Sequence, residues 1–491
     1  MKRTVLSLLF AASLSAQVAP PPPAAPREAK LPQPVEKTLA NGLRVIVVPK
    51  HDIPLVAARL LIKAGGAADP ADREGLASLT ATVLTQGTKT KSAEQIARDV
   101  EALGATLTSD AGWDSTSVNL SVMSSNLTAA MAYVADVARN ATFAKDELER
   151  ERAQAIDSLQ VALTEPRPVA GMVASRLIFG DAPYGHNLGG TPVSLGKIGR
   201  TDLVQFHATH YRPDNAVLVL AGDVKAEDAF KLAESQFGAW KSSSRRVDES
   251  TSRRVAESTS SSKTRRLEDS KPRVVVIDMP ESGQAAVVVG RQGIRRTDPA
   301  YLTAQVANSV LGAGYSSRLN QEIRIKRGLS YGAGSSFEPR VDVGPFTAGT
   351  ETKHESAAEV AGIVVGEMSQ LSAAAVPEAE LTPRKAALIG GFAQSLETTS
   401  GIVTRVSSLA LYGLPLSDIN RYVSGVQAVT AADVQKFAAS NLGGKDVNVV
   451  VAGDASKFVE PLRKQFGEVE VIKPEELDLS SPTLRVRKAK R

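Results

Sequence analysis

Five histidines, His51, His186, His207, His210 and His354, are the side chains of this 491-residue sequence best suited to ligate a metal or move a proton near neutral pH. The chain has no cysteine, which removes disulfides, thiolate metal sites and cysteine nucleophiles together. His207 and His210 stand three apart on a segment with helical pattern, so both could face one metal, yet no glutamate lies between them to polarise a bound water. Ser78 with His186 or His354 would begin a serine hydrolase, but no motif that exposes such a nucleophile surrounds it. Glu151, within Glu149-Arg-Glu-Arg152, reads by itself as a solvated helix charge. The titratable residues alone assemble no complete catalytic set.

The scaffold that must carry any site shows itself by repetition. Asp202, Phe206 and Ala221-Gly222-Asp223 recur as Asp433, Phe437 and Ala452-Gly453-Asp454 at one constant offset, 433 against 202. Each Ala-Gly-Asp follows a β-branched run, Val217 to Leu220 and Val449 to Val451, and a Gln-Phe-Gly ending follows later at 236–238 and 465–467. Chance does not keep register over twenty positions, so the chain is a duplication. The halves open on strand-like segments, Leu43 to Val48 then Val56 to Ile62, and Val274 to Ile277 then Ala285 to Val289. Helical periodicity follows at Leu76, Leu79, Val83 and Leu84, and again over 302–311. This mixture without strict βαβ alternation predicts an α+β fold with helices packed on a face of each sheet.

Composition sets the limits around that scaffold. Apolar residues make up 43% and charged residues 23%, as in ordinary globular protein, and the length suits two to four domains. Lys2-Arg3, the apolar run Val5 to Leu14 and small residues at 15–19 predict an export signal over 1–19, followed by a Pro-rich linker over 20–34. That run is too short to span a bilayer and nothing later is longer, so a secreted, periplasmic protein without a transmembrane segment is expected. The first folded half is expected over 35–240 and the second over 273–480. Between them, 241–272 carries nine Lys/Arg against five Asp/Glu and few apolar residues. It reads as a flexible linker, either a hinge that lets the halves close or a tolerated insertion. The net charge of +5 resides in this linker and in a basic tail over 481–491, so no nucleic-acid groove is predicted.

Several segments together resemble one family. Gly75-Leu-Ala77 opening a helix that leads to Gly87-Thr88, then Pro183-Tyr-Gly-His186, Gly189-Gly-Thr191 and His210-Tyr-Arg-Pro-Asp-Asn215, are similar to the first domain of the pitrilysin/insulinase (M16) zinc peptidases. Gly314-Tyr-Ser-Ser-Arg-Leu319 and Arg324 through Arg327-Gly-Leu-Ser-Tyr331 are similar to its second domain. The resemblance covers roughly residues 35–480. It implies an M16/LuxS-like metallohydrolase clamshell: two homologous halves, each of two α+β modules with helices packed on a mainly antiparallel sheet. Active members carry His-x-x-Glu-His on a helix, where two histidines four apart reach one zinc and the glutamate polarises its water. Matched to that motif, this chain has Ser78, Ala81 and Thr82, and Ser158 stands where the distant third ligand is expected. No zinc is therefore expected on this chain.

The same resemblance gives the second half a role. Arg324 and Tyr331 coincide with the Arg/Tyr pair that active members bring to the substrate carbonyl, where guanidinium and phenol donate to developing oxygen charge. The bland alternative pairs Arg324 with a carboxylate of its own helix and packs Tyr331 at a strand start. Loss of the zinc residues with retention of the pair resembles bacterial two-chain M16 systems. The expectation is a non-metal-binding, substrate-carbonyl-binding subunit, inactive alone, whose partners are a zinc-bearing M16 paralogue and a peptide. The alternative is a pseudopeptidase that binds peptide or assembles an envelope complex. Peptide could also add to an edge strand such as Val56 to Ile62, although so apolar a strand is equally at home in a sheet centre.

Overall fold

A computed structural model describes residues 33–241, 271–444 and 446–486. The predicted signal and nearly all of the Pro-rich segment and charged linker lie outside the described residues, as does the end of the basic tail. The first half forms a sheet from β1 (Val35–Thr38), β2 (Arg44–Pro49), β3 (Leu55–Ile62), β4 (Thr106–Ala111), β5 (Thr116–Met123) and β6 (Ala216–Gly222), in the order β1-β2-β6-β3-β5-β4. The second half forms one from β7 (Val274–Asp278), β8 (Ala285–Gln292), β9 (Gly334–Phe337), β10 (Pro345–Thr352), β11 (Asn448–Gly453) and β12 (Glu470–Ile472), in the order β12-β7-β11-β8-β10-β9. Five positions correspond one to one, as the duplication requires. The sixth is filled from opposite ends of the halves: β1 enters antiparallel to β2 before it, and β12 returns parallel to β7. Both sheets are mainly antiparallel. Each half has one sheet among the described residues, hence one α+β module where the resemblance implied two.

The helices correspond as well. The first half has α1 (Leu76–Leu84), α2 (Ala93–Ala102), α3 (Leu127–Asn140), α4 (Lys145–Ala162), α5 (Pro166–Phe179), α6 (Pro192–Lys197), α7 (Arg200–His210) and α8 (Ala226–Phe237). The second has α9 (Tyr301–Leu311), α10 (Ala357–Ala373), α11 (Glu378–Ser395), α12 (Thr399–Leu411), α13 (Asp418–Ala428), α14 (Ala431–Asn441) and α15 (Val459–Phe466). In place of α2 it has a helical turn, Arg318–Asn320, running into a π-helix, Gln321–Lys326. The repeated aspartates do the same work in both halves. Asp202 accepts the Gly199 amide at 2.7 Å at the start of α7, and Asp433 accepts the Thr430 amide at 2.9 Å at the start of α14.

Strand β3 pairs along its whole length with β5 on one side and β6 on the other, so Val56 to Ile62 is central and offers no edge. The near-continuous apolar runs of β2, β3 and β6 follow from burial on both faces. One set of alternating residues, with Val45, Val47, Leu60 and Leu218, packs under helices of its own half. The opposite set, Ile46, Val48, Ala57, Leu61, Val217, Val219 and Ala221, packs against Ile402, Val403, Val406 and Leu409 of α12, from the second half. The exchange is mutual: Val169, Ala170, Val173, Ala174 and Leu177 of α5 cover Val275, Ile277, Ala286, Val450 and Ala452 of the second sheet. At roughly 1.5–3 kcal/mol for each fully buried large aliphatic side chain, these two faces bind the halves into one body.

Candidate functional site

The site is built on the start of α1. Gly75 caps it with φ +91°, and a Cβ there would meet the Gly189 carbonyl oxygen at 2.9 Å. Gly190, at φ +81°, lies as close to the Glu74 carbonyl, so a hypothetical Cβ would stand 2.5 Å away. The two glycine motifs are therefore one contact between α1 and the loop before α6, which only residues without side chains permit. Ser194 ties the same place together, donating its hydroxyl to the Glu74 carbonyl at 2.8 Å. Asp69 accepts the Gly75 and Ala77 amides, each at 2.8 Å, and so satisfies the open end of α1. Burial pushes its carboxyl up to about 7, against the pull of those amides. Behind the cap, Glu74 and Arg176 of α5 form a buried ion pair at 3.0 Å. Arg176 also donates to the carbonyls of Leu479 and Gly180, at 2.9 and 3.0 Å.

Between α1, α4 and α5 opens a cavity of about 670 Å³, and every residue lining it lies between Gly75 and Leu195. Ser78 and Thr82 line it from α1, with Ser158 and Glu151 from α4. Three of the four positions assigned to lost ligands thus meet in one place, although they are far apart in sequence. The fourth, Ala81, is wholly buried on α1 and is not among the lining residues. Glu151, read from sequence as a solvated charge, is instead 8% exposed and pairs through Oε1 with Arg150 at 2.8 Å.

These residues do not fit a zinc ion. The Ser78 hydroxyl donates to the Leu188 carbonyl at 2.8 Å and that of Thr82 to the Ser78 carbonyl at 3.0 Å. Glu151 is the one acidic side chain in the lining, and neutral hydroxyls are poor ligands for zinc beside imidazole or carboxylate. Among the described residues, no three His, Cys, Asp or Glu stand close enough together to hold a metal.

The histidines have structural work. His186 lines the cavity, which its sequence segment did not disclose. Its Nε2 meets the Gly66 carbonyl at 3.0 Å, its ring stands 5.1 Å from that of Trp113, and burial lowers its pKa to about 4. His207 meets the Ala138 carbonyl at 2.9 Å and stacks on Tyr211. His210 packs against Phe206, with its pKa also lowered to about 4 by burial and then by Arg212. His51 pairs with Asp223 at 2.8 Å. His354 meets the Ser282 carbonyl at 2.9 Å and accepts the Asp454 amide at 3.2 Å.

Arg324 and Tyr331 lie elsewhere, and neither lines the cavity. Arg324 sits on the π-helix with its guanidinium 4.9 Å from the Tyr315 ring centre, while Glu322 on that helix pairs with Lys326 and Arg327 instead. Tyr331 is 91% exposed, so packing does not account for it. Buried Asn320 frames the group, donating to the Tyr315 carbonyl and accepting the Ala333 amide at 3.3 Å. Tyr315 and Asn320 had no role from sequence. The signal, a tyrosine and an amide flanking the Arg/Tyr spacing, was present but had no reason to be read until the π-helix folded the segments together.

The comparisons bear on the family and the fold. Residues 44–191 match the family model described as insulinase (peptidase family M16), and residues 197–388 match that described as peptidase M16 inactive domain. An uncharacterized zinc protease of Mycobacterium tuberculosis is 27% identical over 448 residues, 91% of this chain and 99% of its own length. The crystal structure of a peptidase M16 inactive domain from Pseudomonas fluorescens superposes with a TM-score of 0.76 at 26% identity, covering 86% of this chain and 98% of that one. A protease from Helicobacter pylori shares the fold with a TM-score of 0.77 at 18% identity, covering 86% of this chain and all of that one.

Proposed function

Because the chain belongs to the insulinase (M16) peptidase family, we propose that it is the metal-free, carbonyl-binding subunit of a two-chain zinc endopeptidase in the periplasm. One observation carries the reading: Tyr331 is 91% exposed, and neither it nor the half-buried Arg324 lines the first-half cavity where the degenerate ligand positions meet. That placement supports a role towards a centre on another chain. A second, zinc-bearing M16 chain would supply the metal and the activated water. Tyr331 would then donate its phenolic proton, and Arg324 its guanidinium N–H groups, to the carbonyl oxygen as charge gathers on it. Asn320 and Tyr315 hold the segment that presents them.

The test is complementation. The purified chain alone should cleave no peptide, and mixing it with a zinc-bearing M16 paralogue from the same envelope should restore cleavage. If that mixture cleaves no faster than the paralogue alone, the role is refuted. The alternative, a peptide-binding or assembly protein with no part in hydrolysis, draws its support from the first-half cavity.

A further inference from the structure

A second hollow, of about 200 Å³, lies on the junction between the halves and shares no lining residue with the first-half cavity. Val169 of α5, Ile277 of β7 and Met279 just after it, all buried, make its inner wall. Leu163, Pro192 and Val193 line it from the first half, and Leu477 to Ser480 of the C-terminal segment close it from the second. Val193 is 68% exposed and marks the mouth. Apolar hollows of this order take up molecules the size of benzene. The lining carries one ionisable group, Asp478. Its Oδ1 accepts the amide and the hydroxyl of Ser480, at 2.9 and 2.6 Å, and among the described residues no donor reaches Oδ2. Glu74 and Asp181 stand near it, and Arg176 is committed to those two, at 3.0 and 3.7 Å. Burial pushes the Glu74 carboxyl up, Arg176 draws it down, and Asp478 and Asp181 add to the rise. Arg273 and Arg485, which flank the C-terminal segment, are held by Glu470 and Glu476. The hollow therefore joins apolar walls to a carboxylate without a counter-charge.

We propose that this hollow binds a free aliphatic primary ammonium ion, its alkyl chain against Val169, Ile277 and Met279 and its cation on Asp478. The order of the walls sets the orientation. The apolar residues are the most deeply buried and Asp478 is half-buried, so the chain enters first and the charge stays near water. A lysine side chain would have to lead with its ammonium, which does not suit that order. A charge-assisted contact beside apolar surface is stronger than the same contact in water. The site needs neither a partner chain nor hydrolysis, so it stands or falls apart from the proposed function.

Pentylammonium is titrated into the full chain, with pentanol as its uncharged counterpart, and binding is read by NMR of isotope-labelled methionine methyl groups. Met279 lines this hollow and Met172 the first-half cavity, so the two places report separately. The Met279 methyl should shift saturably, with binding about tenfold tighter for the amine than for the alcohol, while Met172 stays still. Asp478→Asn should bring the ratio to one. Val193→Lys sets a cation at the mouth on an exposed residue, and should weaken the amine about tenfold while leaving the alcohol unchanged. That variant decides the question even if Asp478→Asn disturbs the C-terminal segment. Equal binding of amine and alcohol, no Met279 shift at millimolar concentration, or a preference that survives Val193→Lys would each overturn the proposal. So would a capped lysine amide that binds as tightly as the amine, since the site would then belong to a protein side chain. Binding that appears only once residues 487–491 are removed would give the hollow to the chain's own basic tail, and the proposal would fall.

Discussion

The two halves of this chain share a plan to the level of single helix caps, and they differ in what each does with its equivalent places. The crossing helices α5 and α12 are the clearest case. Each lies over the other half's sheet, and the eleventh residue is Arg176 in one and Leu409 in the other. The first half secures its crossing with a buried ion pair to Glu74, the second with a buried aliphatic contact. The difference sits beside the cavity, because Glu74 precedes the glycine that caps α1. A buried ion pair fixes geometry more than it adds stability. Here it pins the start of α1, which carries Ser78 and Thr82.

The largest expected effect breaks that asymmetry. Arg176→Met leaves Glu74 buried with no counter-charge and should cost about 3–5 kcal/mol in urea unfolding. Leu409→Ala should cost a comparable 2–5 kcal/mol through the void it leaves. The two are separated by rescue. Adding Glu74→Gln to Arg176→Met should recover most of the loss, whereas no second polar change rescues Leu409→Ala. If Arg176→Met is silent, the ion pair does not secure α5.

Next comes the contrast in function, with ligand positions emptied in one half and a donor pair displayed by the other. In the complemented mixture, Tyr331→Phe should lower kcat by about 10²-fold, the usual cost of one lost oxyanion donor, with assembly unchanged on a sizing column. Asn320→Ala should lower turnover less, because it loosens the segment without removing a donor. A mixture that cleaves as fast after Tyr331→Phe would remove the residue from the mechanism.

The halves also respond differently to acid. His210 ends α7, and the equivalent residue ending α14 is Asn441, which does not titrate. The folded-state pKa of His210, about 4, lies below the ordinary 6.5, so the unfolded chain binds more protons between those values. The stability contributed by the neutral ring is complete above pH 6.5 and is lost as pH falls towards 4. Asp69 acts in the other direction: its carboxyl is raised to about 7, so the stabilisation of its protonated form is lost as pH rises through 7. Writing the second half's residue into the first, His210→Asn, should flatten the acid limb of the melting temperature against pH between 6.5 and 4. His186, also near 4, keeps part of the slope. An unchanged acid limb would show that His210 titrates normally in the folded chain.

How far the sequence carried depended on whether a property was local or relational. Repetition exposed the duplication, and the spacing of Ser78, Thr82 and Ser158 within a familiar pattern was enough to place them together. Burial of β3 on both faces was written in Leu55–Ile62 as a nearly unbroken apolar run, but periodicity could not say whether the strand lay at an edge. The crossing of α5 and α12 was illegible for a deeper reason. An apolar helix face records that it is covered and is silent about which sheet covers it. Glu151 failed in the opposite sense: a charged residue among Glu149-Arg-Glu-Arg152 looks solvated, and nothing local records that it is buried and lines the cavity. The exposed Tyr331 carried a signal only through its spacing from Arg324.

The smallest effect tests the repeat at its finest grain. Asp202 and Asp433 occupy equivalent third positions in α7 and α14, and each accepts the backbone amide of the residue before its helix. The residues preceding the helices differ. Thr430 also gives its hydroxyl to Asp433 at 2.6 Å and accepts the Asp433 amide at 3.1 Å, while Gly199 has no side chain to reciprocate. Asp433→Ala therefore breaks a two-way box and should cost about 1–2 kcal/mol, and Asp202→Ala a one-way contact worth about 0.5–1 kcal/mol. Replacing Gly199 by threonine should bring the first-half cap up to the second, since its φ of −107° is open to any residue. If the two alanine variants cost the same, the threonine hydroxyl contributes nothing and the halves are equal at this position despite their difference in sequence.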